Sequence, residues 1–294
     1  MQFHSGFVSI LGSPNVGKST LMNALVGQKV AIATKRAQTT RNKVTGILTR
    51  EGYQIIFLDT PGIHTPKNKL GEYMVHTAYD ANRDVDLTLF VIDGEVGLGP
   101  RDIEILARLS KENLLVLLNK IDAIAPEKQE SITARIHGEG VAQKNILPIS
   151  ALTGKGLIKL EERILSYLPE GPLYYPADMI TDRPERFIAA ELIREKALEF
   201  LREEVPHGVG VEIEKIEEFE DLTEVSAILY CEQDSHKGII IGKGGAMLKK
   251  IGSAARMDLE MLFGTQVYLE LFVKVKKDWR NSNFMLKELG YRKE

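Results

Sequence analysis

Between a short apolar stretch, Phe7–Leu11, and a helical stretch from about Lys18 to Val26 stands Gly12-Ser13-Pro14-Asn15-Val16-Gly17-Lys18-Ser19, followed by Thr20. This string fits G-x-x-x-x-G-K-[ST] in the strand-to-helix setting that its mechanism needs. Glycines let the backbone wrap closely, so that successive N–H groups and the helix N-terminus face phosphate oxygens. Lys18 adds positive charge for the β and γ phosphates, and the Ser19 hydroxyl suits Mg²⁺. Such a string constrains the fold as well, because it belongs at the carboxyl edge of a mostly parallel sheet.

The rest of the first half agrees with that sheet. Lys43–Thr49 and Tyr53–Leu58 flank Glu51-Gly52 and read as an antiparallel hairpin. Leu87–Asp93, Leu114–Asn119 and Ile146–Ile149 are short apolar runs, separated by helical stretches at 70–82, 100–110, 126–137 and 157–168. Apolar strands alternating with helices predict an α/β domain, its sheet covered on both faces, with one antiparallel edge strand.

Two more strings end strands in the positions where α/β sheets bind ligands. Asp59-Thr60-Pro61-Gly62 supplies a carboxylate for Mg²⁺ and, at Gly62, a backbone N–H for the γ-phosphate. Asn119-Lys120-Ile121-Asp122 supplies Asp122, which can accept from both N1–H and the exocyclic amine of guanine, a donor pair that adenine lacks. Lys120 can lie along the base, and at Ser150-Ala151 the Ala151 N–H can meet guanine O6. In this order, over residues 6–168, the strings resemble translation-factor-type GTPases. In that family a threonine of the intervening loop ligates Mg²⁺; Gln38-Thr39-Thr40-Arg41 lies there, and the resemblance favours Thr40, with Thr39 the alternate. The catalytic set so implied is Lys18, Thr40 and Gly62, with Ser19, Thr40 and Asp59 around Mg²⁺. Ile63 replaces the water-orienting glutamine of many small GTPases and cannot hydrogen-bond a water, so slow hydrolysis without an activator is expected. Asn15 corresponds to an asparagine that helps hold K⁺ in related GTPases, which makes K⁺ a second candidate cofactor.

Prolines at 169, 172, 176 and 184 mark a linker. The expected organisation is a GTPase domain over 1–170, a linker over 171–184 and a smaller α+β domain over 185–294. Charge separates the parts. Residues 1–182 are balanced, 183–235 carry −9 and 236–294 carry +6, which conceals a basic region within a net charge of −3. Local charge, rather than the total, decides where a polyanion docks.

In the second domain a helix (187–201) and two strands (209–216, 225–231) precede the glycine-rich stretch 236–245, a long helix (246–263), a strand (267–275) and a last helix (283–291). Gly242-Lys243-Gly244-Gly245 follows Gly238-Ile239-Ile240-Ile241 and is crowded by Lys237, Lys243, Lys249 and Lys250. This arrangement resembles a type II KH RNA-binding module, in which small residues admit the RNA backbone beside an apolar groove. Ile240, Ile241 and Ile251 line that groove or fill the core. Lys274, Lys276, Lys277 and Trp279 either extend the RNA track or form a solvated strand with the tryptophan packed inside. Cys231, the one cysteine, reads as a core residue; it excludes an internal disulfide and fits a reducing compartment. The six histidines lack zinc-site spacing.

A GTPase carrying Gln38-Thr39-Thr40-Arg41, Pro61 and Ile63, joined to one type II KH domain, is similar to the Era GTPases. The resemblance implies GTP and GDP as ligands, binding near the 3′ end of small-subunit ribosomal RNA and a role in small ribosomal subunit assembly. It also implies a cytoplasmic, monomeric protein with peripheral contact to the inner membrane in bacteria. A tRNA-modification GTPase and a non-catalytic, GTP-liganded RNA-binding scaffold are the alternatives. No apolar run approaches the ~18 residues that cross a bilayer, and no secretory signal is readable.

Overall fold

The computed structural model describes residues 2–34, 36 and 38–291. They form two compact units: one takes the chain up to Thr65 together with Met74–Asp182, the other takes Pro66–Tyr73 and the chain from Arg183 onward.

The first unit runs β1 (His4–Leu11), α1 (Lys18–Val26), β2 (Val44–Arg50), β3 (Tyr53–Asp59), α2 (Lys69–Asp80, in this unit from Met74), β4 (Leu87–Asp93), α3 (Pro100–Arg108), β5 (Leu114–Asn119), α4 (Pro126–Gly138), β6 (Ile146–Pro148) and α5 (Leu157–Leu165). The sheet order is β2-β3-β1-β4-β5-β6, with β2 antiparallel to β3 at the edge and every other pairing parallel. Each residue of β4 and β5 is buried, as a strand covered on both faces requires. Fully burying one such leucine is worth about 1.5–3 kcal/mol. Ile10 pairs with Asp59 and Asp93 with Asn119, so the parallel register brings the strand ends that carry the sequence motifs to one edge.

Prolines mark the stretch after α5, yet its backbone is bound along this unit. Gly171 N–H donates to the Phe3 carbonyl at 3.1 Å, and Ile47 N–H to the Ile180 carbonyl at 2.8 Å. Between them the buried Gln54 accepts from the N–H groups of Tyr174 and Tyr175 and donates to the Tyr175 carbonyl.

The second unit continues with α6 (Glu185–Phe200), β7 (Gly210–Glu218), β8 (Leu222–Cys231), α7 (Asp234–Ile241), α8 (Ala246–Phe263), β9 (Gln266–Val275) and α9 (Asn283–Glu288). Its sheet is β7-β8-β9, the first pair antiparallel and the second parallel. One face packs on α6, α7 and α8 through Ile193, Ala197, Val225, Ala227, Ile240 and Ile251. The glycine-rich stretch 236–245 is helical up to Ile241. Of its three isoleucines only Ile240 is fully buried, Ile241 packs part-buried on the core and Ile239 is exposed, so a continuous apolar run conceals a helix with one inward face. Ile240 and Ile251 are therefore core residues. Trp279 has no exposed surface; its Nε1–H donates to the Gly208 carbonyl at 2.9 Å and its ring stacks on Tyr291. Stacking of Trp279 on a nucleic-acid base is thereby overturned, whereas Lys274, Lys276 and Lys277 are exposed. Cys231 is buried. Among the described residues no helix is long and apolar enough to cross a membrane.

Candidate functional site

At the carboxyl edge of the first sheet a cavity of about 690 Å³ opens against the turn between β1 and α1. Pro14, Asn15, Gly17, Lys18, Ser19 and Thr20 form its floor, while Gly12, Ser13 and Val16 build the turn behind it. Two buried groups hold that turn. Asp102, in the first turn of α3, accepts from the Ser13 hydroxyl at 2.7 Å and from Gly99 N–H at 3.0 Å. Asn119, at the end of β5, donates from Nδ2 to the Val16 carbonyl at 2.8 Å. Gly62 enters because a Cβ there would lie 2.7 Å from Pro14 Cα, so only glycine permits this approach of the β3 end to the turn. Next to it, Ile63 N–H donates to the Gly12 carbonyl at 3.1 Å.

Three oxygens converge beside Lys18. Ser19 Oγ donates to Asp59 Oδ2 at 2.6 Å, Thr40 Oγ1 lies 2.8 Å from Ser19 Oγ, and Thr40 donates to the same Asp59 oxygen at 3.4 Å. Thr39 turns the other way, donating to the Arg36 carbonyl at 2.7 Å. The geometry thus separates two threonines that spacing leaves equivalent. Burial pushes the Asp59 carboxyl up to about 6 and the Lys18 ammonium down to about 8, each shift opposed by the charge of the other. Asp59 Oδ1 is buried without a hydrogen-bond partner. One carboxylate with an unsatisfied oxygen beside two hydroxyls is a donor set that fits Mg²⁺, a hard cation that takes one or two carboxylates and otherwise keeps water and phosphate oxygens.

The far end of the cavity is lined by Asn119, Lys120, Asp122 and Ala151. Lys120 adopts a left-handed backbone and its ammonium reaches Asp93 at 2.5 Å and Glu95 at 3.6 Å; sequence reasoning missed these two carboxylates. Asp122 is exposed at the rim. Ala151 N–H donates to Asn119 Oδ1 at 2.9 Å, which ties the Ala151 turn to the end of β5. Ser150 is fully buried and shapes the turn by accepting from Thr153 N–H, so it supports the wall without lining it. Leu152, strongly exposed, lines the cavity in its place, and nothing in the sequence pattern marked it.

In the second unit Gly242, Gly244 and Gly245 all take positive φ, carrying the chain from α7 into α8. Beside this loop, a cleft of about 440 Å³ between α8 and β9 is lined by Gly245, Leu248, Lys249, Gly252, Tyr268 and Leu271. Lys243 and Lys249 are exposed and Lys237 half-buried around the loop, with Gly238 exposed on α7. Lys250 is exposed, with its ammonium 4.3 Å from the centroid of the Phe200 ring. Tyr268, exposed on β9, is a further aromatic group of the cleft; its alternation with Leu269 and Leu271 was the only signal.

Comparison with known proteins finds relatives of both units. A family model described as 50S ribosome-binding GTPase matches residues 7–120, and a KH-domain model matches 204–280. GTPase Era of Alkaliphilus metalliredigens is 50% identical over 99% of this chain and 100% of its own length. GTPase Era of Ruminiclostridium cellulolyticum is 51% identical over 99% of each chain. A crystal structure of Era with MgGDPNP and nucleotides 1506–1542 of 16S ribosomal RNA superposes with a TM-score of 0.94 at 43% identity, covering 98% of this chain and 99% of the other. An Aquifex aeolicus Era variant bound to GDP·AlF4⁻ gives 0.94 at 42% identity over 99% of each.

Proposed function

The chain belongs to the Era family of GTPases, and from that premise we propose that its first unit hydrolyses GTP while its second unit holds the 3′ end of small-subunit ribosomal RNA, in the service of small-subunit assembly. The observation that carries the catalytic half is the meeting of Ser19, Thr40 and Asp59 beside Lys18. Mg²⁺ held there by the two hydroxyls and the carboxylate supplies positive charge to the β and γ phosphates. Lys18 binds the same phosphates, the N–H groups of Gly17, Lys18 and Ser19 cradle them, and Gly62 offers its N–H to the γ end. Asp122 reads guanine from the rim, and Asn119 holds the two walls of the base pocket together.

Support for the RNA half is the positive-φ glycine loop with its lysines beside a cleft of mixed lining, Leu248 and Leu271 with Lys249 and Arg256, the chemistry that grips a single strand by backbone and bases. Peripheral contact with the inner membrane and a monomeric state belong to the same proposal by family membership. So does K⁺: Asn15, exposed in the P-loop, is the residue to help hold it, and turnover in matched KCl and NaCl buffers tests this, equal rates counting against it. The function as a whole is tested by phosphate release with and without an RNA carrying the 3′ end of 16S ribosomal RNA. Magnesium-dependent turnover together with retention of that RNA in a filter assay is expected. Failure to retain it in any nucleotide state would remove the RNA half.

A further inference from the structure

We propose that Gln38 orients the water that attacks GTP, and that His64 is the positioning residue that fixes which end of the Gln38 amide meets that water. The inference rests on the GTPase reading of the cavity and adds the group that Ile63 leaves missing.

Ile63 is 5% exposed and packs with Leu11, Phe90 and Ile92, so its side chain belongs to the core. The following residue, His64, faces the other loop of the cavity. Its Nδ1 lies 2.8 Å from the Gly62 carbonyl and its Nε2 lies 3.1 Å from Gln38 Nε2. A carbonyl only accepts, so Nδ1 carries the proton; Nε2 then holds a lone pair, and only the NH₂ end of the amide can meet it. Two hydrogen bonds thereby determine both the tautomer and the amide orientation. The Gln38 Oε1 is left as an acceptor, on a residue that lines the cavity with Thr39, Thr40, Gly62 and Lys18. Its backbone is left-handed, φ 61°.

That acceptor suits the reaction. The water oxygen bonds to the γ-phosphorus as the bond to the β–γ bridging oxygen breaks. GDP leaves with the electron pair, and the water's proton ends on inorganic phosphate. A neutral amide cannot take that proton; it aligns the attacking lone pair by accepting one hydrogen bond. A glutamine from the first loop thus supplies what small GTPases draw from the position of Ile63.

Single-turnover hydrolysis is measured for wild type, Gln38→Leu, His64→Leu, His64→Gln and the double variant Gln38→Leu/His64→Leu. Affinities for GDP and non-hydrolysable GDPNP, and melting temperatures, are measured in parallel. Each Leu variant is expected to hydrolyse at least tenfold more slowly with nucleotide affinities within twofold of wild type. The double variant should be no slower than Gln38→Leu, because both act through one amide. His64→Gln, which can still accept at similar reach, should recover most of the rate. Wild-type hydrolysis in Gln38→Leu, multiplicative losses in the double variant, or losses that follow GDPNP affinity would each overturn the proposal. A wild-type protein that binds neither nucleotide would instead sink the underlying reading of the cavity.

Discussion

Asn119→Ala separates the two jobs that an N-K-x-D asparagine can do. Its side chain is 2% exposed and bridges the Val16 carbonyl at 2.8 Å and the Ala151 N–H at 2.9 Å, both on buried residues. Truncation leaves a donor and an acceptor without partners, at about 1–3 kcal/mol each. Water entering the space recovers part of this, so a loss of about 2–4 kcal/mol is expected. For a domain of this size that is roughly 5–15 °C in melting temperature. The assay is calorimetric melting of nucleotide-free protein, with Asp122→Ala as the comparison, since Asp122 is exposed and should shift melting little. GTP affinity should fall in both variants, but only Asn119→Ala should melt early. An Asn119→Ala protein that melts with wild type in the absence of nucleotide would refute the bridging role.

Lys18→Met should abolish GTP binding, as titration calorimetry will show, and should also alter the pH dependence of stability. Burial lowers the Lys18 pKa in the fold to about 8 from its ordinary 10.5, so the unfolded chain binds more protons between these values. The nucleotide-free protein should therefore gain stability as pH rises from about 8 to 10.5, a gain that chemical denaturation should find missing in Lys18→Met. Asp122→Asn should shift base preference from guanine toward xanthine, read by competition between GTP and XTP; unchanged selectivity would remove Asp122 from base reading. Gly242→Asp brings a carboxylate to the glycine loop, at φ 73° with its Cβ 2.8 Å from Met247, and should weaken retention of a 16S 3′-end RNA at least tenfold with GTP affinity intact. Loss of both activities would indicate misfolding.

Much of this architecture is legible in residue order because its signals are local. Leu87–Asp93 and Leu114–Asn119 are uninterrupted apolar runs of strand length, and both are strands with those bounds. The phosphate turn declares itself in eight consecutive residues. What escaped was set by distant partners. Asn119 is visible in the sequence only as the first residue of its motif; its partners Val16 and Ala151, 103 and 32 residues away, take its amide in the fold. Lys250 reads as part of an RNA patch, and only the fold brings the Phe200 ring to its ammonium. The helix Asp234–Ile241 was hidden by Gly238 and three consecutive β-branched residues, whose propensity is weak for helix; burial of Ile240 against the sheet overrides it. Likewise no spacing rule pairs His64 with Gln38, since the pairing depends on how two loops face each other.

The most direct test of the nucleotide site is phosphate release from GTP and from ATP at equal concentration, each with Mg²⁺ and with the metal chelated. A cavity that reads guanine through Asp122 and gathers Ser19, Thr40 and Asp59 around one cation should release phosphate from GTP alone, and only with the metal present. Equal release from ATP, or release from GTP that survives chelation, would contradict it.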